Sequence, residues 1–434
     1  MVERHAPRER EAGDAISTAP PRLAPDAHYD VVVVGAGIMG SCAAYHLSKR
    51  GKRVLLLEQF ELLHRRGSSH GDSRIIRRTY PETFNTEMMS LAYPLWENAQ
   101  REAGQSVYTK TGGLDWGRKG SKDIESLISA CRRHNVDVEV MTSEQANARF
   151  PRQLNLPPGF VAVYNEDAGV IHATQAVAMF QRLAMANGAH VVDRTKVIAI
   201  TPSADRGGGE NVRLTTSRGD AICANACVVT CGAWAHKLLA HLGFHTALRP
   251  IHTTYAFWRC DSPADFTPPN WPVFIHYDED PMKTIYSTPC VEYPDLMKVA
   301  LHTGPDCDPD TRSLVPGYDD CEGYLSPWLS TYLRNVDGSR PAVAEACMYT
   351  MTPDHQFILD RLPGSMSNVV IGAGFSGHGF KMGPLIGSIM ADLALGETPG
   401  VDLAPFSLHR ECLRTTRTTP TVTVEGNAAG ISKL

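Results

Sequence analysis

The stretch YDVVVVGAGIMGSCAAYHL, Tyr29–Leu47, decides the fold of this chain. Its four consecutive valines are typical of a strand buried on both faces of a parallel sheet, and the helix pattern that follows is closed by Gly51. Between strand and helix lies a G-x-G-x-x-G turn, formed by Gly35, Gly37 and Gly40 with Ile38 and Met39 inside it. A turn in this position predicts a dinucleotide whose pyrophosphate meets the N-terminus of the helix.

Each glycine of this turn has a separate task in that interpretation. Gly35 allows the tight turn, Gly37 lets the backbone approach the pyrophosphate, and Gly40 lets the helix pack closely on the strand. The next strand, KRVLLLE, ends at Glu58, whose carboxylate would accept both ribose hydroxyls and repel a 2′-phosphate. The pattern therefore disfavours NADP and leaves both NAD and FAD open.

A second glycine turn, NVVIGAGFSGHGFKMG, occupies Asn368–Gly383 and also follows a strand pattern and opens a helix. It lacks a following strand that ends in a ribose-binding acid. We therefore interpret it as a second contact to the same dinucleotide rather than as a second dinucleotide site.

The composition disfavours several other classes of protein. The chain has 434 residues and a net charge of −5, so nothing favours a nucleic-acid partner, and no apolar run reaches the roughly 20 residues of a membrane helix. The eleven cysteines form no regular framework and are predicted to be reduced thiols. Cys223, Cys227 and Cys231 recur every four residues, but this spacing in a strand builds no tetrahedral site, so we expect no metal.

The two ends of the chain have compositions unlike the rest. Residues 1–28 mix charges with Pro and Ala and have no apolar segment, which predicts a disordered leader and no secretory signal. The Thr-rich tail, 409–434, is predicted to be flexible and ends in Ser432-Lys433-Leu434. The peroxisomal import receptor reads this tripeptide at a C-terminus, so the expected location is the peroxisome.

Between the glycine turns, two patterns predict local structure. TKVIAITP and NVRLTTSR, joined by a polar segment, predict a hairpin, and Thr174–Gly188 predicts a helix capped by Thr174. Residues 241–345 are dense in proline, and their aromatic residues alternate with polar ones. This sequence pattern predicts an antiparallel sheet with long connections.

Three longer motifs carry a resemblance to a known family: SSHGDSRIIR, Ser68–Arg77; EYPDLMKVALHTG, Glu292–Gly304; and CMYT…DHQFILDR…NVVIGAGFSGHGFK, between Cys347 and Lys381. From about Tyr29 to Phe406 the chain resembles the monomeric sarcosine oxidase family, especially its peroxisomal sarcosine and L-pipecolate oxidases. The resemblance implies an α/β fold, in which a FAD-binding Rossmann-like domain of the D-amino-acid-oxidase type holds an inserted antiparallel-sheet substrate domain. We place the first domain in residues 29–100, 160–240 and 340–408, and the second in 101–159 and 241–339.

The resemblance also implies the site residues. Cys347 matches the cysteine that links FAD covalently through its 8α carbon, Arg77 and Lys381 match the residues that hold the substrate carboxylate, and Lys298 matches the lysine that activates dioxygen. His302, Tyr286 and Tyr349 match further active-site positions. The other predicted cofactor contacts are Ser69, His70, Arg74, Val197, Gly374, Phe375, Gly377, His378 and Gly379, with Lys381 also beside the flavin.

The predicted function is a FAD-dependent oxidase of secondary amino acids, which takes a small amino acid and dioxygen and gives an imine and hydrogen peroxide. The family suggests a monomer. The alternatives are an oxidase of glycated amino acids, a flavin dehydrogenase with another electron acceptor, and a flavin-binding scaffold without turnover. An NAD-dependent dehydrogenase would leave Cys347 and the second glycine turn without a purpose. The sequence does not decide between sarcosine, L-pipecolate, L-proline and larger N-methyl amino acids.

Overall fold

The computed structural model of this chain describes residues 28–204, 210–317 and 321–413. The predicted leader, apart from His28, and the tail from residue 414 with its Ser432-Lys433-Leu434 end lie outside the described residues. Among the described helices, none is long and apolar enough to span a bilayer.

The α-helices of the described residues range from seven to 21 residues in length. They are α1 (Ile38–Lys49), α2 (Thr83–Ala103), α3 (Lys122–Arg133), α4 (Ser143–Arg149), α5 (Ala173–Ala186), α6 (Ala235–His241), α7 (Ser326–Tyr332) and α8 (Gly383–Leu395). The strands are β1 (His28–Val34), β2 (Val54–Leu57), β3 (Arg74–Ile76), β4 (Tyr108–Lys110), β5 (Gly113–Arg118), β6 (Glu139–Thr142), β7 (Phe160–Asn165), β8 (Gly169–Ile171), β9 (His190–Val192), β10 (Val197–Ala204), β11 (Glu210–Thr216), β12 (Ala221–Val229), β13 (Arg249–Arg259), β14 (Val273–Tyr277), β15 (Ile285–Tyr293), β16 (Leu296–Leu301), β17 (Val343–Met351), β18 (Ile358–Arg361) and β19 (Val369–Ala373).

The first sheet has the order β10-β11-β12-β1-β2-β9, with β19 beside the second half of β12 and β18 beside β19. Strands β9, β2, β1, β12 and β19 are parallel neighbours. The valines of β1 alternate between two cores: Val31 and Val33 pack on the side of α1, α5 and α8, and Val32 and Val34 pack on the side of α6. Both faces of the sheet are thus covered, as the run of valines predicts.

The second sheet has the order β17-β13-β16-β15-β14-β5-β7-β6. Its neighbours are antiparallel except β5 and β14, which pair in parallel because two separate segments of the chain meet there. One face of this sheet buries a cluster of aromatic side chains that includes Trp116, Trp258 and Trp271. A small third sheet has the order β3-β8-β4, and its strand β3 directly follows the loop after β2.

Several local predictions can be compared with this fold. The hairpin is confirmed as β10 and β11, and the helix of residues 174–188 is confirmed as α5, but its predicted cap is wrong. The helix begins at Ala173, so His172 is its N-cap residue and makes no side-chain cap, and Thr174 lies inside the first turn, where its hydroxyl donates to the carbonyl oxygen of Gly71. Strands β7 and β17, which fall in ranges that we placed in the FAD-binding domain, pair within the second sheet. The domain boundaries themselves stay a prediction.

Candidate active site

A cavity of about 820 Å³ lies where the first sheet, the second sheet and the two glycine turns meet. Most of the residues that the sequence singles out contribute to its wall. From the first turn and its neighbourhood these are Gly35, Gly37, Ile38, Met39, Glu58, Ser69, His70, Arg74, Arg77 and Val197; from the second sheet and second turn they are Tyr286, Lys298, His302, Cys347, Tyr349, Phe375, Gly377, His378, Gly379 and Lys381. Gly40 and Gly374 lie behind the wall.

The first glycine turn is built so that backbone approaches backbone. Gly35 has a left-handed φ of +98°, and a Cβ at Gly40 would lie 1.8 Å from the carbonyl oxygen of Gly35. No other residue type fits either position without moving the turn. The first turn of α1 then presents its N–H groups to the cavity, and the N–H of Ile38 donates to the Ser69 hydroxyl at 3.1 Å.

The carboxylate of Glu58 is held at the end of β2, where it borders the cavity. The backbone N–H of Ala36 donates to one of its oxygens at 2.9 Å, and the N–H of Phe60 donates to the other at 3.0 Å. Nε2 of His64 lies 3.4 Å from Oε1, and Oε2 has a second lone pair that can accept a further bond. This is the arrangement that a ribose diol requires next to a pyrophosphate-binding turn.

The loop between Ser68 and Ser73 wraps around the guanidinium of Arg74. Arg74 donates to the carbonyl oxygens of Ser73, Ser68 and His70 at 2.6, 3.1 and 2.5 Å. Because the acceptors are uncharged carbonyl oxygens, these hydrogen bonds fix the position of the guanidinium without neutralising its positive charge. Burial lowers the pKa of the neighbouring His70 to about 4, with the charge of Arg74 acting in the same direction, so His70 is neutral at pH 7.

Two buried basic side chains, Arg77 and Lys381, contact the same tyrosine in the cavity wall. The guanidinium carbon of Arg77 lies 4.3 Å from the ring centroid of Tyr80, and the Lys381 ammonium donates to the Tyr80 hydroxyl at 2.9 Å. Lys381 also donates to the carbonyl oxygen of His378 at 2.9 Å. Burial, assisted by the charge of Arg77, holds the pKa of Lys381 well below its ordinary value. An anion bound here would relieve that cost, because it compensates a buried positive charge.

Lys298 lies on β16 of the second sheet, and its ammonium is fully enclosed. It donates to the Ser73 hydroxyl at 2.6 Å and forms an ion pair with Glu292, which also accepts from Ser73. The ring of Tyr255 lies 4.4 Å from the ammonium nitrogen. Burial lowers the pKa of Lys298, and the carboxylate of Glu292 opposes that effect.

The second sheet contributes Cys347 and Tyr349 from β17 and Tyr286 from β15 to the cavity wall, and His302 directly follows β16. The Tyr349 hydroxyl donates to the Tyr286 hydroxyl at 3.2 Å, and the His302 ring lies 5.1 Å from that of Tyr349. Burial lowers the pKa of His302 to about 4. Cys347 is a buried free thiol that borders the cavity, so its sulfur can be reached by a ligand held there.

The second glycine turn brings the last helix to the same cavity. It follows β19, which is parallel to β12, and a Cβ at Gly377 would lie 2.5 Å from the His302 ring. Lys381 lies in the short helical turn Phe380–Met382, directly before α8. The two turns therefore meet one continuous space. This agrees with the interpretation that they contact one dinucleotide.

Sequence reasoning missed several groups that shape the site. They are Ser73, Tyr80, Asp115, Tyr255, Tyr277 and Glu292. Asp115 forms an ion pair with Arg77, and Tyr277 places its ring 5.9 Å from the same guanidinium. A signal for Asp115 existed, since it is a single acid in the otherwise uncharged run GGLDWG.

In the part of the chain that the structure describes, no group of three or more His, Cys, Asp or Glu side chains is arranged to hold a metal ion. Cys227 is a buried and Cys231 a half-buried free thiol, and desolvation raises the pKa of both, to about 12 for Cys231. A thiol of that kind remains protonated at pH 7.

Comparison with known proteins identifies the family. Residues 30–393 match the family of FAD dependent oxidoreductases. The chain is 42% identical to a probable sarcosine oxidase of Arabidopsis thaliana, over 89% of this chain and 93% of that protein. It is 41% identical to the peroxisomal sarcosine oxidase of Homo sapiens, over 88% and 96%. The solved structure of NikD, an unusual amino acid oxidase essential for nikkomycin biosynthesis, superimposes with a TM-score of 0.75 at 25% identity, covering 88% of this chain and 97% of NikD. The chain therefore belongs to the sarcosine oxidase family of FAD-dependent oxidoreductases, and it is a flavin-dependent amine oxidase.

Proposed function

We propose that this protein oxidises secondary amino acids such as sarcosine or L-pipecolate at the carbon next to nitrogen, with dioxygen as the electron acceptor. The amine loses two electrons and two protons and becomes an imine, and dioxygen gains both and becomes hydrogen peroxide. The observation that carries the proposal is the single cavity of about 820 Å³, which joins the dinucleotide turn to the cations Arg77 and Lys381.

The residues along this cavity fit FAD. Gly37 leaves the space at the α1 N-terminus that a Cβ would fill, since that Cβ would lie 3.0 Å from the Ser69 hydroxyl. The N–H groups there suit the pyrophosphate and the Glu58 carboxylate suits the ribose. Val197, His70 and Arg74 lie further along the same wall. When bound, FAD supplies the two-electron acceptor for the C–N oxidation.

Cys347 is the residue that we propose to carry the covalent bond to the flavin. Its support is the CMYT motif of the family resemblance together with its place in the cavity wall, to which Arg74, Tyr286 and Tyr349 also contribute. A covalent bond would keep the ring in register with Lys381 and Lys298 through many turnovers.

Arg77 and Lys381 would hold the substrate carboxylate. Both cations are buried and both face the cavity, so a carboxylate placed between them forms charge-assisted hydrogen bonds in a medium of low dielectric constant. This fixes the reacting carbon, and such orientation can contribute several kcal/mol to catalysis. The nearby positive charges also lower the pKa of the substrate amine. The amine must be neutral before it can lose a hydride equivalent.

Lys298 would act in the oxygen half of the reaction. Its ammonium lies in the cavity wall among aromatic rings, away from bulk water. Negative charge develops on dioxygen as it is reduced, and a preorganised cation stabilises that charge without reorganisation. The structure adds a feature that the sequence did not suggest, since the cation is anchored by Glu292 and Ser73.

The test is an amine panel scored by peroxide release in air and by anaerobic bleaching of the flavin. Sarcosine, L-pipecolate, L-proline and N-methyl amino acids are expected to give peroxide. Turnover confined to fructosyl amino acids would favour an oxidase of glycated amino acids. Substrate-dependent bleaching without reoxidation in air, with turnover restored by an artificial acceptor, would favour a dehydrogenase.

We also propose that the protein acts in the peroxisome, where hydrogen peroxide is removed. The support is that the relative in Homo sapiens is named a peroxisomal sarcosine oxidase and that SKL is an import signal. The test is the location of a fluorescent fusion with Ser432-Lys433-Leu434 intact or changed at Lys433 to Glu. Equal distribution of both fusions outside peroxisomes would contradict the proposal.

A further inference from the structure

Arg77 reaches the cavity with its charge already paired. Its Nη1 lies 3.2 Å from Oδ1 of Asp115, and the Thr79 hydroxyl donates to Oδ2 of the same carboxylate at 2.5 Å. Asp115 lies on β5 of the second sheet and is 1% exposed, whereas Arg77 follows β3 in the third sheet. The two sheets thus bring a cation and an anion together in the interior.

Lys381 differs from Arg77 in this respect. Its ammonium donates to the Tyr80 hydroxyl and to a backbone carbonyl, and no described carboxylate lies within 4 Å of it. Tyr80 joins both cations into one subsite, since its ring lies against Arg77 and its hydroxyl accepts from Lys381. With Lys381 protonated, as a bound anion favours, the subsite contains two cations and one carboxylate, a net charge of one.

Asp115 is coupled to both cations. Burial raises the pKa of its carboxyl, and the charge of Arg77, the Thr79 hydrogen bond and the charge of Lys381 oppose that rise. Removing one member of a buried charge cluster leaves the others uncompensated, which is costly until a ligand supplies the missing charge. Each cation of the subsite that has no carboxylate partner within the protein can accept a carboxylate of the ligand.

We propose that Asp115 determines substrate class: by cancelling one of the two cations, it makes the subsite selective for secondary amines with a single carboxylate and rejects those with two. This inference rests on the proposed carboxylate-binding role of Arg77 and Lys381. Asp115 is not a catalytic residue, because it lies behind Arg77 and outside the cavity wall. It is a specificity-determining residue that acts through Arg77.

The direct test compares Asp115→Asn with the wild-type holoenzyme on sarcosine and iminodiacetate, which differ by one carboxylate on the N-methyl carbon. The asparagine keeps the shape and removes the charge. We expect the ratio of kcat/KM for iminodiacetate to that for sarcosine to rise at least tenfold. The matched control is Asp167→Asn, which unpairs the adjacent Arg78 at the surface and should leave the ratio unchanged. An unchanged ratio in Asp115→Asn, with sarcosine still turned over, would overturn the inference.

A binding measurement separates this inference from the proposed function. Methoxyacetate and diglycolate carry an ether oxygen in place of the amine and cannot be oxidised in the same way. Their Kd values, followed by calorimetry, should shift in favour of diglycolate by at least tenfold in Asp115→Asn. A wild type that oxidises no amine would reject the proposed function, and the ratio of Kd values would still decide the role of Asp115.

A pair of charge-neutralising variants covers the case in which Asp115→Asn alone does not fold. Arg77→Gln leaves Lys381 opposite Asp115, a net charge of zero, and should weaken methoxyacetate binding strongly. The double variant Arg77→Gln/Asp115→Asn neutralises both members of the ion pair, so that Lys381 gives the subsite a net charge of one again. It should bind methoxyacetate at least tenfold more tightly than Arg77→Gln. A double variant no better than Arg77→Gln would show that Asp115 has only a structural role.

Discussion

The ammonium of Lys298 and the carboxylate of Glu292 form a buried ion pair that shares the hydroxyl of Ser73. Burial alone would raise the pKa of Glu292, but Lys298 and Ser73 together bring it below its ordinary value. Glu292 lies in an irregular part of the β15–β16 pairing, between Thr288 and Tyr293. There the strand departs from regular register and the acid turns inward.

We expect Glu292→Gln to move the pH dependence of flavin reoxidation to lower pH. Without the carboxylate, which opposes the effect of burial, the pKa of Lys298 falls further. As pH rises, the rate constant for reoxidation by dioxygen should therefore begin to decline at a lower pH than in the wild type. The rate constant for flavin reduction by substrate should change little. Stopped-flow measurement of both half-reactions across pH is the check. Glu102→Gln, which breaks a surface pair with Lys49, is the control, and an unmoved profile in Glu292→Gln would reject the coupling.

Lys298→Met should slow flavin reoxidation by orders of magnitude, because it keeps a similar volume but removes the cation that we propose to stabilise charge on dioxygen. Reduction of the flavin by substrate in the absence of oxygen should change much less. The two rate constants, measured separately, decide the matter. Lys49→Met at the surface is the matched control, and equal losses in both half-reactions would mean that Lys298 has another role.

Local sequence patterns were sufficient to predict the first glycine turn and much of the cavity wall. They were insufficient to predict the side chains that form ion pairs with the charged residues of that wall. Gly35, Gly40 and Glu58 are predictable because strand, turn and helix dictate their roles within 24 residues of sequence. Asp115 is 38 positions from Arg77 and joins it only through the meeting of two sheets. The wrong cap at Thr174 has the same cause, since Gly71, its partner, is 103 positions away. The partners of such side chains are determined by contacts between residues far apart in the sequence, and a single sequence does not show those contacts.

Cys347→Ser should separate the flavin from the protein. In the wild type, the yellow colour is expected to stay with protein precipitated by acid, since a thioether survives denaturation. In Cys347→Ser the flavin should appear in the supernatant. Cys231→Ser provides the control, because Cys231 is another cysteine in the cavity wall. Free flavin released from the wild type would refute the covalent bond and leave the FAD site itself intact.

Gly40→Ala should destabilise the holoenzyme and weaken its retention of FAD. The added Cβ would lie 1.8 Å from the Gly35 carbonyl oxygen and 2.7 Å from the Thr230 hydroxyl, so the turn must shift. We expect a loss of about 3 kcal/mol, at the upper end of overpacking costs, because the contact is with backbone. Urea titration and flavin content are the measurements. Gly400→Ala is the control, since nothing lies within 4 Å of its added Cβ, and equal stability of both variants would contradict the packing argument.

The buried histidines predict how stability responds to acid. Burial lowers the pKa of each of four side chains to about 4: His46, His70, His276 and His302. The ordinary value in the unfolded chain is about 6.5, so between pH 6.5 and 4 the unfolded chain binds more protons than the folded one. The contribution of these histidines to the free energy of unfolding should therefore be complete above pH 6.5. It should fall as pH decreases through this window, by up to about 1.4 kcal/mol per pH unit for each histidine.

His276→Gln isolates one of these contributions away from the cavity. His276 lies in the core of the second sheet, where its Nδ1 accepts from the Trp328 indole at 2.8 Å, and a glutamine oxygen can accept a similar bond. The variant should lose stability less steeply between pH 6.5 and 4, by about the slope of one proton. Urea unfolding at half-unit pH intervals measures both slopes. Identical slopes would mean that His276 is protonated in the folded protein, which the surrounding rings of Trp116, Phe160 and Tyr332 disfavour because they solvate an imidazolium poorly.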